Sequence, residues 1–101
     1  MADLTHQFTE LQLKTARIRQ DFLLALLQNT FTALEMADFE LSIGNIEVVE
    51  KELVHTQKAC SAIERFVAGL KPEQRSNIDF QLAHAKDRHK KLANKLRGGG
   101  H

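Results

Sequence analysis

Five histidines and one cysteine are the side chains of this sequence best suited to hold a metal or to attack an electrophile: His6, His55, His84, His89, His101 and Cys60. Metal sites on helices set two ligands three or four residues apart, on one face. No two histidines have that spacing, and the nearest pair, His84 and His89, is five apart. On a helix those two point about 140° away from each other. His84 and Asp87 do stand three apart, as many surface pairs do. A nucleophilic cysteine needs a base and some exposure. Cys60 falls instead within an apolar series and reads as a small buried hydrophobe, with a pairing to His89 left open. No glycine-rich phosphate loop, nucleophile elbow or zinc-helix motif occurs. The sequence therefore assigns no catalytic residue, no metal and no cofactor, and the expectation is a protein that is not an enzyme.

The densest chemistry is cationic. Lys86, Arg88, Lys90, Lys91, Lys95 and Arg97 fall within twelve residues, opposed only by Asp87. Cations near a helix C-terminus complement the dipole, which is the favoured reading. The alternative is an anion-binding surface for nucleic acid or an anionic membrane face. Against it, the net charge is only +1 and the one aromatic nearby in sequence is Phe80. Single-strand binding wants exposed aromatics among the cations. The charge is also unevenly split. Residues 1–50 carry three basic and eight acidic groups, a balance of −5, while residues 51–101 carry eleven and five, a balance of +6. Two halves packed antiparallel would answer each other, and a separate acidic or nucleic-acid partner is the other way to read the split.

These side chains must be carried by helices. The sequence has 101 residues, no Trp or Tyr, one Pro and little Val, Ile or Thr, and is rich in Leu, Ala, Glu, Gln and Lys. Ile46, Val49, Leu53, Thr56, Cys60, Ile63, Val67 and Leu70 recur at steps of 3, 4, 3, 4, 3, 4, 3, one apolar seam of a helix. Asn45 is placed to cap it, and Glu47 and Glu50 suit its positive end. Upstream, no Gly or Pro occurs before Gly44. Leu4, Phe8, Leu11, Ile18, Phe22 and Ala25 keep the same rhythm, and the stripe then broadens to Leu23, Leu26, Leu27, Phe31, Leu34, Met36, Phe39 and Leu41. Asp3 or Thr5 could cap this helix. Thr9-Glu10-Leu11-Gln12, with Phe8 and Leu13 as a staple, makes a better capping box. Asn29-Thr30-Phe31-Thr32 is its weakest stretch and the place for a kink. Gly44 takes the left-handed conformation that ends one helix while Asn45 begins the next. Pro72, followed by Glu73 and Gln74, starts a third helix with the seam Ile78, Leu82, Ala85, His89, Leu92 and Leu96. Residues 98–101, Gly-Gly-Gly-His, form a tail, native or artificial.

The stretch 36–59, MADFELSIGNIEVVEKELVHTQKA, resembles a tetratricopeptide-type helical hairpin through Ala37, the Gly44-Asn45 turn, and Ile46, Val49 and Leu53 on the second helix. It departs from that pattern in Glu40, where an aromatic is usual, in Val49, where Ala is usual, and in the lack of a closing proline near residue 61. No second copy follows. The sequence is also similar to small uncharacterised bacterial all-helical proteins with a Gly-Asn hairpin. The resemblance implies a protein-binding surface and no chemistry.

The expected fold is all-α, a single domain over residues 1–97. It is an antiparallel three-helix bundle with a long first helix, its helices at about 4–43, 46–69 and 72–97. The expected role is a protein–protein interaction module that is cytoplasmic, with no membrane span and no secretory signal. Leu4, Phe8, Leu11 and Ile18 lie where the first helix outreaches its neighbours. Self-association into a two-fold dimer would bury them. The acidic stretch 35–52 of one copy would then meet the basic tail of the other.

Overall fold

The computed structural model describes residues 3–98, with side chains from residue 15 onward. Three helices follow one another: α1 (Asp3–Ser42), α2 (Ile46–Val67) and α3 (Pro72–Gly98). All three pack on one another in an up-down-up bundle of 70 × 19 × 15 Å. α1 spans 40 residues and α3 27. Among the described residues there is no strand. No helix is long and apolar enough to cross a membrane.

Both turns follow from local chemistry. Gly44 has φ 81°, the left-handed region that Cβ-bearing residues avoid. The Asn45 N–H donates to the Glu40 carbonyl (2.9 Å) and the Gly44 N–H to the Leu41 carbonyl (3.1 Å). Those two bonds are the Schellman closure of a helix C-terminus. That closure is usually covered by an apolar contact between the two residues spanned by its longer bond. Here the contact is polar, because Asn45 Nδ2 donates to Glu40 Oε2 at 2.9 Å. Asn45 therefore stands at the N-cap of α2 but makes no side-chain cap bond, a correction to its expected role. Its amide is spent on finishing α1. At the second turn the Gln74 side-chain carbonyl accepts from the Lys71 N–H (3.3 Å), and the Lys71 carbonyl accepts from the Gln74 N–H (2.9 Å). That is the Gln half of a capping box, with Pro72 at the first helical position as anticipated. α2 ends at Val67, two residues short of expectation, because Gly69 and Leu70 switch to i−3 bonds with Phe66 and Val67.

The core is one cluster. α2 supplies Val49, Leu53, Thr56, Cys60, Ile63 and Val67, and Leu70 follows from the turn. α3 supplies Ile78, Leu82, Ala85 and Leu92. These are the anticipated seams, except that Ile46 lies on the surface and that His89 and Leu96 of the α3 seam are only partly buried. α1 departs more. Its buried series is Leu23, Leu27, Thr30, Leu34 and Ala37, at steps of 4, 3, 4, 3. Ile18, Phe22 and Ala25 are exposed, as are Met36 and Phe39, although the apolar rhythm points to them as core. The inner series contains polar residues that the fold satisfies. Thr30 Oγ1 donates to the Leu26 carbonyl at 2.8 Å, and Gln20 Nε2 donates to the Gln74 carbonyl of α3 at 3.2 Å. Thr32 bonds the Gln28 carbonyl in the same way, and α1 runs without a break through residues 29–32. Residues 3–14 are helical, so Thr9 lies inside α1 and does not cap it.

Candidate interaction surface

The cations of α3 are mostly committed within the bundle. Lys86 pairs with Glu64 of α2, and Lys95 Nζ lies 3.8 Å from Asp38 of α1. Lys91 reaches Asp87 one turn back at 3.0 Å. The Arg88 guanidinium sits 6.0 Å from the Phe31 ring centroid, within cation–π range, and His84 tilts against the same ring at 5.6 Å. Lys90 is exposed, and Arg97 lies at the rim of a cleft between α2 and α3. So Lys86 and Lys95 tie α3 to its neighbours, Lys91 braces α3 itself, and Arg88 rests on α1. Of these pairs, Lys95–Asp38 is the one that joins α3 to the acidic half of the sequence. Such exposed pairs contribute about 0–1 kcal/mol each.

The α2–α3 cleft is where Cys60 and His89 meet, with Gln57, Ser61, Glu64 and Lys86 around them. Cys60 is buried, and burial pushes its thiol up from the ordinary value of 9.0, with the Lys86 ammonium pulling the other way. His89 Nε2 is 2.8 Å from the Leu53 carbonyl. A carbonyl only accepts, so Nε2 carries the proton in this contact. The Thr56 hydroxyl donates to the same carbonyl at 3.1 Å. His89 is therefore spent as a bolt between α3 and α2. Its bond goes to backbone, and the thiol beside it is held neutral, so the two share a wall of the cleft without making a nucleophile and base. Among the described residues no group of three His, Cys, Asp or Glu side chains converges as metal ligands.

The third surface is apolar and belongs to α1. Ile18 (61% exposed), Phe22 (56%), Met36, Phe39 (62%) and Ile43 project outward while a complete core lies behind them. Phe66 of α2 stands beside this face, its ring edge-on to Phe22 at 6.5 Å. Of the residues expected at a self-association surface, Ile18 is here. Leu4, Phe8 and Leu11 lie outside the described side chains. The sequence reading missed Met36, Phe39 and Ile43 as members of this face. Their signal was present, because counting on from Ile18 and Phe22 by threes and fours reaches all three. Phe80, 77% exposed, stands apart on α3 between Ser76, Asn77, Ala83 and His84.

Comparison with known proteins finds no matching family model, no matching curated protein and no matching solved structure.

Proposed function

We propose that this chain is a non-enzymatic helical module that binds a protein partner through the outer face of α1, in a cytoplasmic setting where its thiol stays reduced. One observation carries the reading. Ile18, Phe22, Met36, Phe39 and Ile43 stand exposed along a single face, although the bundle has closed its core without them. Large apolar side chains exposed at both ends of one helix face, around a polar centre, are what an interaction surface uses. The tetratricopeptide-like character of residues 36–59 agrees with a protein-binding role. An anion-binding role for Lys86, Arg88, Lys90, Lys91, Lys95 and Arg97 has less support, since Lys86, Lys91 and Lys95 already face carboxylates and Arg88 lies on Phe31.

A photoreactive phenylalanine analogue placed at Phe39, and as a control at the outward-facing Val54 of α2, tests the reading in cells. Discrete covalent protein adducts from position 39, and none from position 54, are the expected result. Irradiation that yields no protein adduct from position 39, neither to itself nor to another chain, removes the proposal.

A further inference from the structure

The outer face of α1 has a symmetry that names its partner. Its positions are Ile18, Phe22, Ala25, Asn29, Thr32, Met36, Phe39 and Ile43, at steps of 4, 3, 4, 3, 4, 3, 4, and all eight are exposed. This spacing reads the same in both directions. Turned end for end about a point between Thr30 and Phe31, the series lays Ile18 on Ile43, Phe22 on Phe39, Ala25 on Met36 and Asn29 on Thr32. Large meets large at both ends, small meets long next to the middle, and polar meets polar at the centre. A two-fold interface requires that residue i meet j while j meets i, so such an interface must be self-complementary. An unrelated partner imposes no such condition.

We infer that the partner is a second copy of this chain, docked antiparallel along α1 with Phe22 of each copy against Phe39 of the other. The inference rests on the reading of this face as an interaction surface and supplies its occupant. Alternating steps of 3 and 4 make the stripe the seam of a left-handed antiparallel helix pair. Charge complementarity supports the same register. Arg19 and Glu40 flank the seam on one side, and the two-fold operation brings Arg19 of one copy toward Glu40 of the other, twice over. On the opposite side it sets Asp21 beside Ser42 and Gln28 beside Glu35, with no cation facing a cation. The central Asn29–Thr32 layers bury four polar side chains in an otherwise apolar seam. A polar layer of this kind favours one register over slipped alternatives. Phe66, edge-on to Phe22, extends the apolar contact at each end of the seam.

Register-specific rescue tests this in the full chain. Wild type should sediment as a dimer at tens of micromolar. Phe22→Lys alone and Phe39→Glu alone should each shift it to monomer, raising the dissociation constant at least about a hundredfold. The double variant should recover much of the dimer, since each lysine then meets a glutamate across the seam. Far-UV circular dichroism should be unchanged throughout, because both side chains are more than half exposed in the single chain. Nitroxide labels give an independent reading. A label at Ile18 should report a spacing of about 38 Å between copies and one at Asn29 a spacing of about 5 Å along the helix axis, at 1.5 Å per residue. A wild type that stays monomeric at millimolar concentration overturns the inference. So does a dimer indifferent to both single variants, a double variant no better than the singles, or equal spacings at the two labels. A monomer that still crosslinks from position 39 to another protein sinks only the homodimer and leaves the interaction module standing.

Discussion

Gly44 ends α1 and turns the chain into α2. At φ 81° its conformation costs an L-residue roughly 1–2 kcal/mol. A Cβ added there would meet nothing within 4 Å beyond its own chain neighbours, so the penalty is local to the backbone of the turn. Gly44→Ala should therefore destabilise by about 1–2 kcal/mol, and Gly44→Val by at least as much because β-branched residues tolerate positive φ worst, read from the shift in a urea midpoint at constant slope. An unmoved midpoint in both variants would mean that the left-handed turn is wrong. Cys60 gives a second test at this scale. Its raised thiol pKa means that the fold favours the neutral form. The sign follows. Stability tied to this group is intact below the ordinary value of 9.0 and is lost as pH rises through the folded value, because the unfolded thiol ionises first. The alkaline fall in stability should be shallower in Cys60→Ala than in wild type. Native alkylation of Cys60 by iodoacetamide, followed by mass, should also be at least about a hundredfold slower than in denaturant.

At the scale of elements, the test is the contrast between faces. Leu53→Ala and Ile63→Ala remove buried side chains and should each cost about 2–5 kcal/mol. Lys58→Ala, on the exposed side of α2, should stay within about 0.5 kcal/mol in a thermal or chemical melt. Equal effects would reverse the assignment of the seam. The seams of α2 and α3 were legible because each helix has one apolar stripe and a polar remainder. The hinge, the proline start and the three-helix order were legible for a similar reason, since Gly44 and Pro72 are rare residues with few structural uses. α1 was not legible in the same way. It carries two apolar stripes, an inner one through Leu23, Leu27, Leu34 and Ala37 and an outer one through Ile18, Phe22, Met36 and Phe39. Periodicity cannot rank them, and the outer stripe is richer in large residues. What decides is tertiary. Gln20 finds a carbonyl on α3, Thr30 folds its hydroxyl onto Leu26, and the inner stripe becomes the core despite its polar members. The side-chain work of Asn45 and His89 was hidden for a related reason. The partners, Glu40 and the Leu53 carbonyl, become neighbours only once the chain has turned. The Lys95–Asp38 pair spans the two unequally charged halves, while the Lys86–Glu64 pair lies wholly within the basic half.

At the scale of the whole molecule, the chain is a rod, 70 Å long and at most 19 Å across, with its three helices aligned to the long axis. Helical N–H bonds run parallel to the helix axis, so nearly every amide in the three helices points along the rod. A rod turns end over end far more slowly than it spins about its long axis, and a bond vector lying on that axis feels only the slow motion. The ¹⁵N transverse-to-longitudinal relaxation ratio should therefore be high and nearly uniform through residues 20–40, 48–66 and 74–92. It should fall at Ile46 and Lys71 in the two turns, whose N–H groups leave the helical pattern and bond to the Gly44 carbonyl and the Gln74 side chain. A flat profile through both turns would mean that the particle tumbling in solution is close to spherical.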